Sequence, residues 1–326
     1  MVTIRQSNME LLRLVCMFMV MVCHANGFIN EGDLIGVDGV IRLIINQFCL
    51  VCVNCFVMVS GWFGIKASWK GAAKLLFQVI FVAVLCFAIF AVFGQPVSFK
   101  NDLLPYLAFG YGYWFVISYL VLYALSPVLE AFVNNVSESD FRKVLYFIFA
   151  AEMVFSYVLG EGSYGFGFSP LAFISIYLLA RYARMYPGKL FALDKKYDLL
   201  IYVLATVLSI IGLWFGYQLF GMGFHLNHYD SPLAIIASLY FLLFFSKLRI
   251  ESKTVNWLAA SAFAIYLFHE NSLVSPYYHQ FFSCLKETVT IVEFYPLMFV
   301  LLILFGLAFL LIDKSRIFLW KRISQS

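Results

Sequence analysis

Residues 8–29 read NMELLRLVCMFMVMVCHANGFI. A bilayer-spanning helix needs about 20 mostly apolar residues, and this stretch supplies them. It has no two-residue alternation, and it is about twice as long as a barrel strand, so it is read as a helix. The uninterrupted apolar core, Leu14 to Cys23, has Arg5 ahead of it and Cys23-His24-Ala25 behind it, which fits a cleaved leader. Glu10 is out of place in the basic region such a leader carries, so a retained first helix is expected. Three ionisable groups interrupt it: Glu10, Arg13 and His24. At 100° per residue, Arg13 and His24 lie within about 20° of one another around the axis and about 16 Å apart along it. Glu10 stands three residues before Arg13, within pairing reach. One face therefore carries a carboxylate, a guanidinium and, farther on, an imidazole. An interfacial ion pair with a packed histidine is the plain explanation. A stripe aligned over three turns exceeds what that explanation requires.

Working outward, nine further segments of the same kind follow at roughly 41–64, 72–94, 105–131, 142–160, 170–186, 198–219, 231–247, 255–275 and 292–312. The composition agrees: 63% of the 326 residues are hydrophobic and 12% charged, and the mean hydropathy is +0.90. A soluble domain carries about 25% charged residues. Soluble, disordered and nucleic-acid-binding classes are excluded, and a net charge of +4 offers no basic tail. No linker is long or polar enough to divide the chain. The expected fold is an all-α integral membrane bundle of about ten transmembrane helices in a single unit, 1–326.

Loop charge sets the expected orientation. With the N-terminus inside, 18 of the 22 Lys and Arg fall in inner segments and 3 in outer ones, Arg13 being within a helix. Both termini are thus expected in the cytoplasm, and His24 in the outer half of a plasma (inner) membrane.

Ionisable groups inside spans are expensive and are functional candidates by default. The ninth segment carries Tyr266, His269 and Glu270 near its outer end, at the depth of His24. Helical spacing puts Tyr266 and His269 on one face and turns Glu270 about 100° away. The fourth opens with Phe109-Gly110-Tyr111-Gly112-Tyr113-Trp114-Phe115, either interfacial anchors or a stacking wall for a sugar ring. Glu152 falls in the fifth without an identified partner. His225, His228 and Asp230 have metal-ligand spacing, but a solvated outer loop is the expected reading. Six of the seven cysteines lie in apolar segments and only Cys284 looks loop-borne, which is not a disulfide framework. The triplet Cys49, Cys52 and Cys55 is expected to be buried hydrophobe rather than ligand. No metal site is expected. Basic residues of the inner loops, Lys66, Lys70, Lys74, Arg181 and Arg184, are candidates for a phosphate-bearing donor, although orientation alone predicts cations there.

The pattern Arg5-x4-Glu10-x2-Arg13-x10-His24 resembles the N-terminal signature of the acyltransferase-3 family of bacterial membrane O-acyltransferases. Asn54-Cys55-Phe56-Val57-Met58-Val59-Ser60-Gly61-Trp62, Tyr113-Trp114-Phe115, Leu125-Ser126-Pro127 and Tyr266-Leu267-Phe268-His269-Glu270 resemble later family segments, in family order. The resemblance implies an acyl-CoA donor, acetyl-CoA in the first instance, bound from the cytoplasm and not held as a permanent cofactor. It implies a glycan or glycolipid hydroxyl acceptor at the outer face. It also implies that His24 is essential, with Arg13 and Glu10 in the catalytic set. Trp114, Tyr266, His269 and Glu270 are then acceptor-side candidates, and Lys70, Lys74, Arg181 and Arg184 donor-binding candidates. Many members carry Asp where this chain has Glu10, and Arg-x-x-Arg where it has Lys66, Lys70 and Lys74. Lysine serves phosphate as a point charge but not bidentately. The competing class is a glycolipid flippase or transporter, which often shows paired inverted repeats and interrupted helices. Neither is evident here.

Overall fold

The computed structural model describes residues 6–27, 36–110, 112–158, 166–221, 223 and 225–324. Arg5 and Tyr111, named above, lie outside them. Fourteen α-helices run in chain order among the described residues: α1 Ser7–Asn26, α2 Gly36–Cys49, α3 Val51–Phe63, α4 Trp69–Val92, α5 Leu104–Leu107, α6 Trp114–Asn135, α7 Glu138–Glu152, α8 Pro170–Met185, α9 Lys195–Phe220, α10 Pro232–Ser246, α11 Lys253–Ala259, α12 Ala262–His269, α13 Ser275–Thr288 and α14 Ile291–Ile323. Short π-helical turns, Phe99–Leu103 and Met153–Val158, precede α5 and follow α7.

Among the described residues, six helices are long and apolar enough to cross a membrane: α1, α2 with α3 as one 28-residue unit, α4, α6, α9 and α14. The other four expected segments are helical but shorter or broken. α8 has 16 residues and α10 has 15. α7 passes into its π turn at Met153. The ninth segment breaks at Ala260 and Ser261 into α11 and α12. The outer faces of α4, α6, α9 and α14 expose large apolar side chains such as Ile89, Val128, Leu208 and Leu304. Such a surface fits lipid, where helices satisfy their own backbone groups.

Helix boundaries follow local chemistry. Ser68, Ser137, Ser169 and Ser252 each accept a backbone N–H as N-caps of α4, α7, α8 and α11. Thr290 and Glu293 form a capping box on α14. Gly64, at φ 74°, stops α3 and donates its N–H to the Ser60 and Gly61 carbonyls.

α1 and α3 form the centre. α3 packs against α1, α8 and α10, and α1 also touches α2, α11, α12, α13 and α14. Gly61 lets α8 approach, since a Cβ there would collide with the Tyr177 carbonyl. Buried polar groups are tied across helices. Asn8 donates to the Phe245 and Ser246 carbonyls at 3.0 and 3.1 Å, Asn54 to the Tyr229 carbonyl at 2.8 Å, and Tyr113 to the Leu267 carbonyl at 2.5 Å. Ser7 meets Ser252, and Lys314 meets the Trp257 carbonyl. The first and last helices and the α10–α11 connection therefore share one end of the bundle, called here the terminal end.

Three expectations need correction. Cys284 lies on α13, not in a loop, because amphipathic α13 fills the connection before the last helix. Phe109 and Gly110 lie in a turn, at φ 57° and φ 71°, rather than opening the fourth helix, and α6 starts at Trp114. Arg316, counted with the inner-loop cations, is buried within α14, where Asp313 on the same face neutralises it.

Candidate active site

Two cavities follow one another along α1, and a third, bordered by Cys23, adjoins the second. The first, about 700 Å³, sits at the terminal end. Its polar side chains are those of Gln6, Glu10, Arg13, Ser60, Lys66, Tyr119 and Tyr123. Arg13 Nη1 is 3.2 Å from Glu10 Oε2, as the three-residue spacing requires. The Arg13 guanidinium also stands 5.3 Å from the centre of the Phe56 ring. Ser60 and Tyr119 share a 3.0 Å hydrogen bond.

The second cavity, about 220 Å³, has Phe56 as a common wall with the first. His24 and Glu270 are its ionisable groups, and Trp114, Tyr266, Phe115 and Phe263 give it aromatic sides. The third, about 240 Å³, shares Phe168 and Tyr229 with the second and is lined by Asn46, Gln47, Asn227 and His228. Gln47 is 4% exposed, and its Oε1 accepts from Ser209 at 3.0 Å.

The His24 cluster fixes its own tautomer. His269 Nδ1 is 2.6 Å from the Ile265 carbonyl oxygen. A carbonyl only accepts, so His269 carries its proton on Nδ1 and a lone pair on Nε2. That Nε2 lies 2.9 Å from His24 Nδ1. His24 Nδ1 must therefore donate, and the His24 lone pair is on Nε2. Glu270 Oε1, 3.1 Å from the same Nδ1, is a second acceptor for that proton. The arrangement holds an imidazole in one orientation with a carboxylate placed to stabilise its charged form, a base-and-orienter geometry.

The helical wheel turned Glu270 away from His269, yet both converge on His24. The reason is local: α12 ends at His269, and Glu270 is its C-cap at φ −94°, ψ 2°. Tyr266, three residues before His269, lines the same cavity as expected. Trp114 lines it too, edge-on to Phe168 with ring centres 4.6 Å apart.

The four donor candidates fall outside the lining of the first cavity. Lys70 and Lys74 are exposed on the first turns of α4. Arg184 lies over the Trp62 ring at 4.8 Å. Arg181 is gripped by Glu130, with Nε–Oε1 at 2.9 Å and Nη2–Oε2 at 2.7 Å. Tyr177 donates to the same carboxylate at 2.5 Å and accepts the Ile65 N–H at 3.0 Å. The Arg181–Glu130 pair thereby supports the turn that carries Lys66 into the cavity.

Glu152 is 3% exposed, faces Ser175 and Asp230, and meets no basic residue among the described ones. His225 and His228 stack 4.9 Å apart in the α9–α10 connection.

Sequence reading missed His279. It is exposed on α13, with its ring 6.3 Å from His24. Its neighbour Tyr278 donates to the Met21 carbonyl at 2.7 Å, which docks α13 beside the C-terminal part of α1. The only signal was a Tyr-Tyr-His run in a segment too polar to span.

No curated protein and no solved structure matches the chain. The model of the family described as "Acyltransferase domain" matches residues 6–312, nearly its whole length. The helix carrying His24, the helix supplying His269 and the walls of all three cavities lie within that match, and the chain belongs to the acyltransferase-3 family and is an acyltransferase.

Proposed function

We propose that the protein moves an acyl group, acetyl in the first instance, from cytoplasmic acyl-CoA to a hydroxyl of a glycan or glycolipid at the outer face of the plasma membrane. Both termini are then cytoplasmic, and the terminal end of the bundle receives the donor. The observation that carries the reading is the series of cavities, with His24 in the middle one. Arg13 and Lys66 offer cations to the CoA phosphates at the first cavity. The donor candidates Lys70, Lys74 and Arg184 add positive potential near it, while Arg181, paired with Glu130, serves the donor through the turn that carries Lys66. From Arg13 to His24 is about 16 Å along the helix. An extended pantetheine arm of roughly 15–20 Å covers that distance, passing Phe56 to bring the thioester beside His24.

The reaction balances without a cofactor. His24 Nε2 takes the proton of the acceptor hydroxyl as its oxygen attacks the thioester carbonyl. His269 and Glu270 hold the Nδ1 proton and stabilise the imidazolium. The tetrahedral intermediate breaks its C–S bond, and the departing thiolate recovers the proton from His24. An acyl-imidazole on His24 is the two-step variant. Trp114 and Tyr266 provide flat faces for a sugar ring, and Asn46, Gln47, Asn227 and His228 of the third cavity provide hydrogen-bonding groups for its other hydroxyls.

The test uses purified full-length protein with radiolabelled acetyl-CoA and a membrane glycolipid extract. Release of CoA with label on the extract supports the reading. Vectorial movement of an unmodified lipid, with no transfer, supports the flippase class instead.

A further inference from the structure

The His24 cluster has a second capability that acid–base chemistry does not use. One ligand atom each of His24, His269 and Glu270 lie within 4.8 Å of one another, and His24 Nδ1 faces both His269 Nε2 and Glu270 Oε1. Two of the separations are 2.9 and 3.1 Å. Ligands about 2.0–2.2 Å from a tetrahedral zinc ion stand roughly 3.3 Å apart, so these two separations need open by only a few tenths of an ångström, while the His269–Glu270 separation stays within the 4.8 Å bound and closes by rotation of the Glu270 side chain. The donors are of the right kind. Two imidazole nitrogens and one carboxylate suit zinc and its first-row neighbours, whereas calcium and magnesium require oxygen. The outer contact is also in place. His269 Nδ1 is bound to the Ile265 carbonyl, which turns Nε2 toward the site in the manner of a metal-ligating histidine. His24 and Glu270 both border the second cavity, which leaves room for a water as fourth ligand.

We propose that His24, His269 and Glu270 form a zinc site and that zinc switches the enzyme off. The inhibitory part rests on the acyl-transfer reading; the binding part does not. A neutral imidazole holds one proton. In the resting cluster that proton is on His24 Nδ1, and Nε2 is the base. An ion on Nδ1 needs the lone pair there, which moves the proton to Nε2. His24 then has nothing with which to accept the acceptor hydroxyl's proton. Base and ligand are thus exclusive states of one side chain, related by a tautomer shift with no net proton gain or loss.

Cobalt(II) is the probe, because it takes zinc sites and absorbs visibly when four-coordinate. Purified full-length protein, freed of metal with a chelator, is titrated with Co²⁺ and then back-titrated with Zn²⁺. One Co²⁺ per chain is expected, with the band abolished by Zn²⁺. His269→Gln and Glu270→Gln should each weaken binding by about 10–100-fold or more. The double variant His225→Ala/His228→Ala, which removes the other close histidine pair, should bind as the parent does. Size-exclusion profiles establish folding, and if one single variant fails to fold the other decides. Absence of the band in the parent, its persistence in the folded single variants, or its loss in the double variant overturns the site. In the transfer assay, Zn²⁺ should inhibit over its binding range and a chelator should reverse it. Unchanged transfer by zinc-saturated protein overturns the switch. A metal-free protein that binds Co²⁺ yet never transfers an acyl group would defeat the acyl-transfer reading and leave the site standing.

Discussion

Two arginines of this protein stand three residues after a carboxylate on the same helix, both toward the terminal end of the bundle. The outcomes differ. On α14, Arg316 reaches Asp313 through two contacts of 2.8 and 2.7 Å, the side chains are 1% and 0% exposed, and Gln78 of α4 lies 3.4 Å from the same carboxylate. On α1, Arg13 reaches Glu10 at 3.2 Å, the side chains are 30% and 14% exposed, and both line a cavity of about 700 Å³. One sequence motif thus makes a closed pair that joins helices and an open pair that faces a ligand-sized space. What separates them is the neighbour: α4 covers the first, while the α3 turn at Gly64 to Lys66 leaves the second uncovered. The stripe toward His24 identified the open pair, and nothing comparable follows Arg316.

The largest effect is expected at the closed pair. Arg316→Ala strands Asp313 in a dry site, which costs about 3–5 kcal/mol and should abolish recovery of folded protein. The double change Arg316→Met/Asp313→Leu should restore most of it, since apolar residues often replace a buried pair without loss. Thermal unfolding in detergent measures both. A mild Arg316→Ala would mean that the pair is not closed.

At the open pair, the effect should move from stability to activity. A fully buried Arg13 would carry the same penalty, but its 30% exposure reduces that to about 1 kcal/mol. Arg13→Ala should remain folded and lose acyl transfer by tenfold or more, with Arg13→Lys recovering part. Equal loss of fold in Arg13→Ala and Arg316→Ala would erase the distinction.

Lys66→Ala should raise the apparent KM for acyl-CoA roughly tenfold, for one charge-assisted contact of about 1.5 kcal/mol. Neutralising Lys70, Lys74 and Arg184 together should raise it less, because they stand outside the cavity lining. The reverse ranking would place the donor on the α4 and α8 surfaces instead. The smallest perturbation is a label: Ser324→Cys and Asn227→Cys should react from opposite sides of the membrane, and reaction from one side would refute the proposed orientation.

What was legible in the sequence was what helical periodicity carries. Glu10, Arg13 and His24 share a face because α1 is regular for 20 residues, and the spacing of Tyr266 and His269 survives because both lie in α12. Where regular helix stops, the reading stopped too. Glu270 joins His24 only because α12 ends one residue earlier. His279 arrives on a helix whose polarity hid it among connections. Phe56 separates two cavities through packing that no spacing announces, and Lys66 reaches the first through a turn held by Tyr177 and Arg181. The segments read as ten equal spans include short and broken helices, since hydropathy reports apolar length and not continuity.

The central claim is that His24 performs the transfer, and its most direct measurement is single-turnover label transfer from radiolabelled acetyl-CoA by the full-length His24→Ala protein. Donor binding is measured on the same sample by equilibrium dialysis. Losing a general base costs about 10²–10⁴ in rate. The expected result is a folded variant with parental affinity for acetyl-CoA and transfer reduced by at least about 10²-fold. A folded His24→Ala protein that binds the donor and transfers label at the parental rate would contradict it.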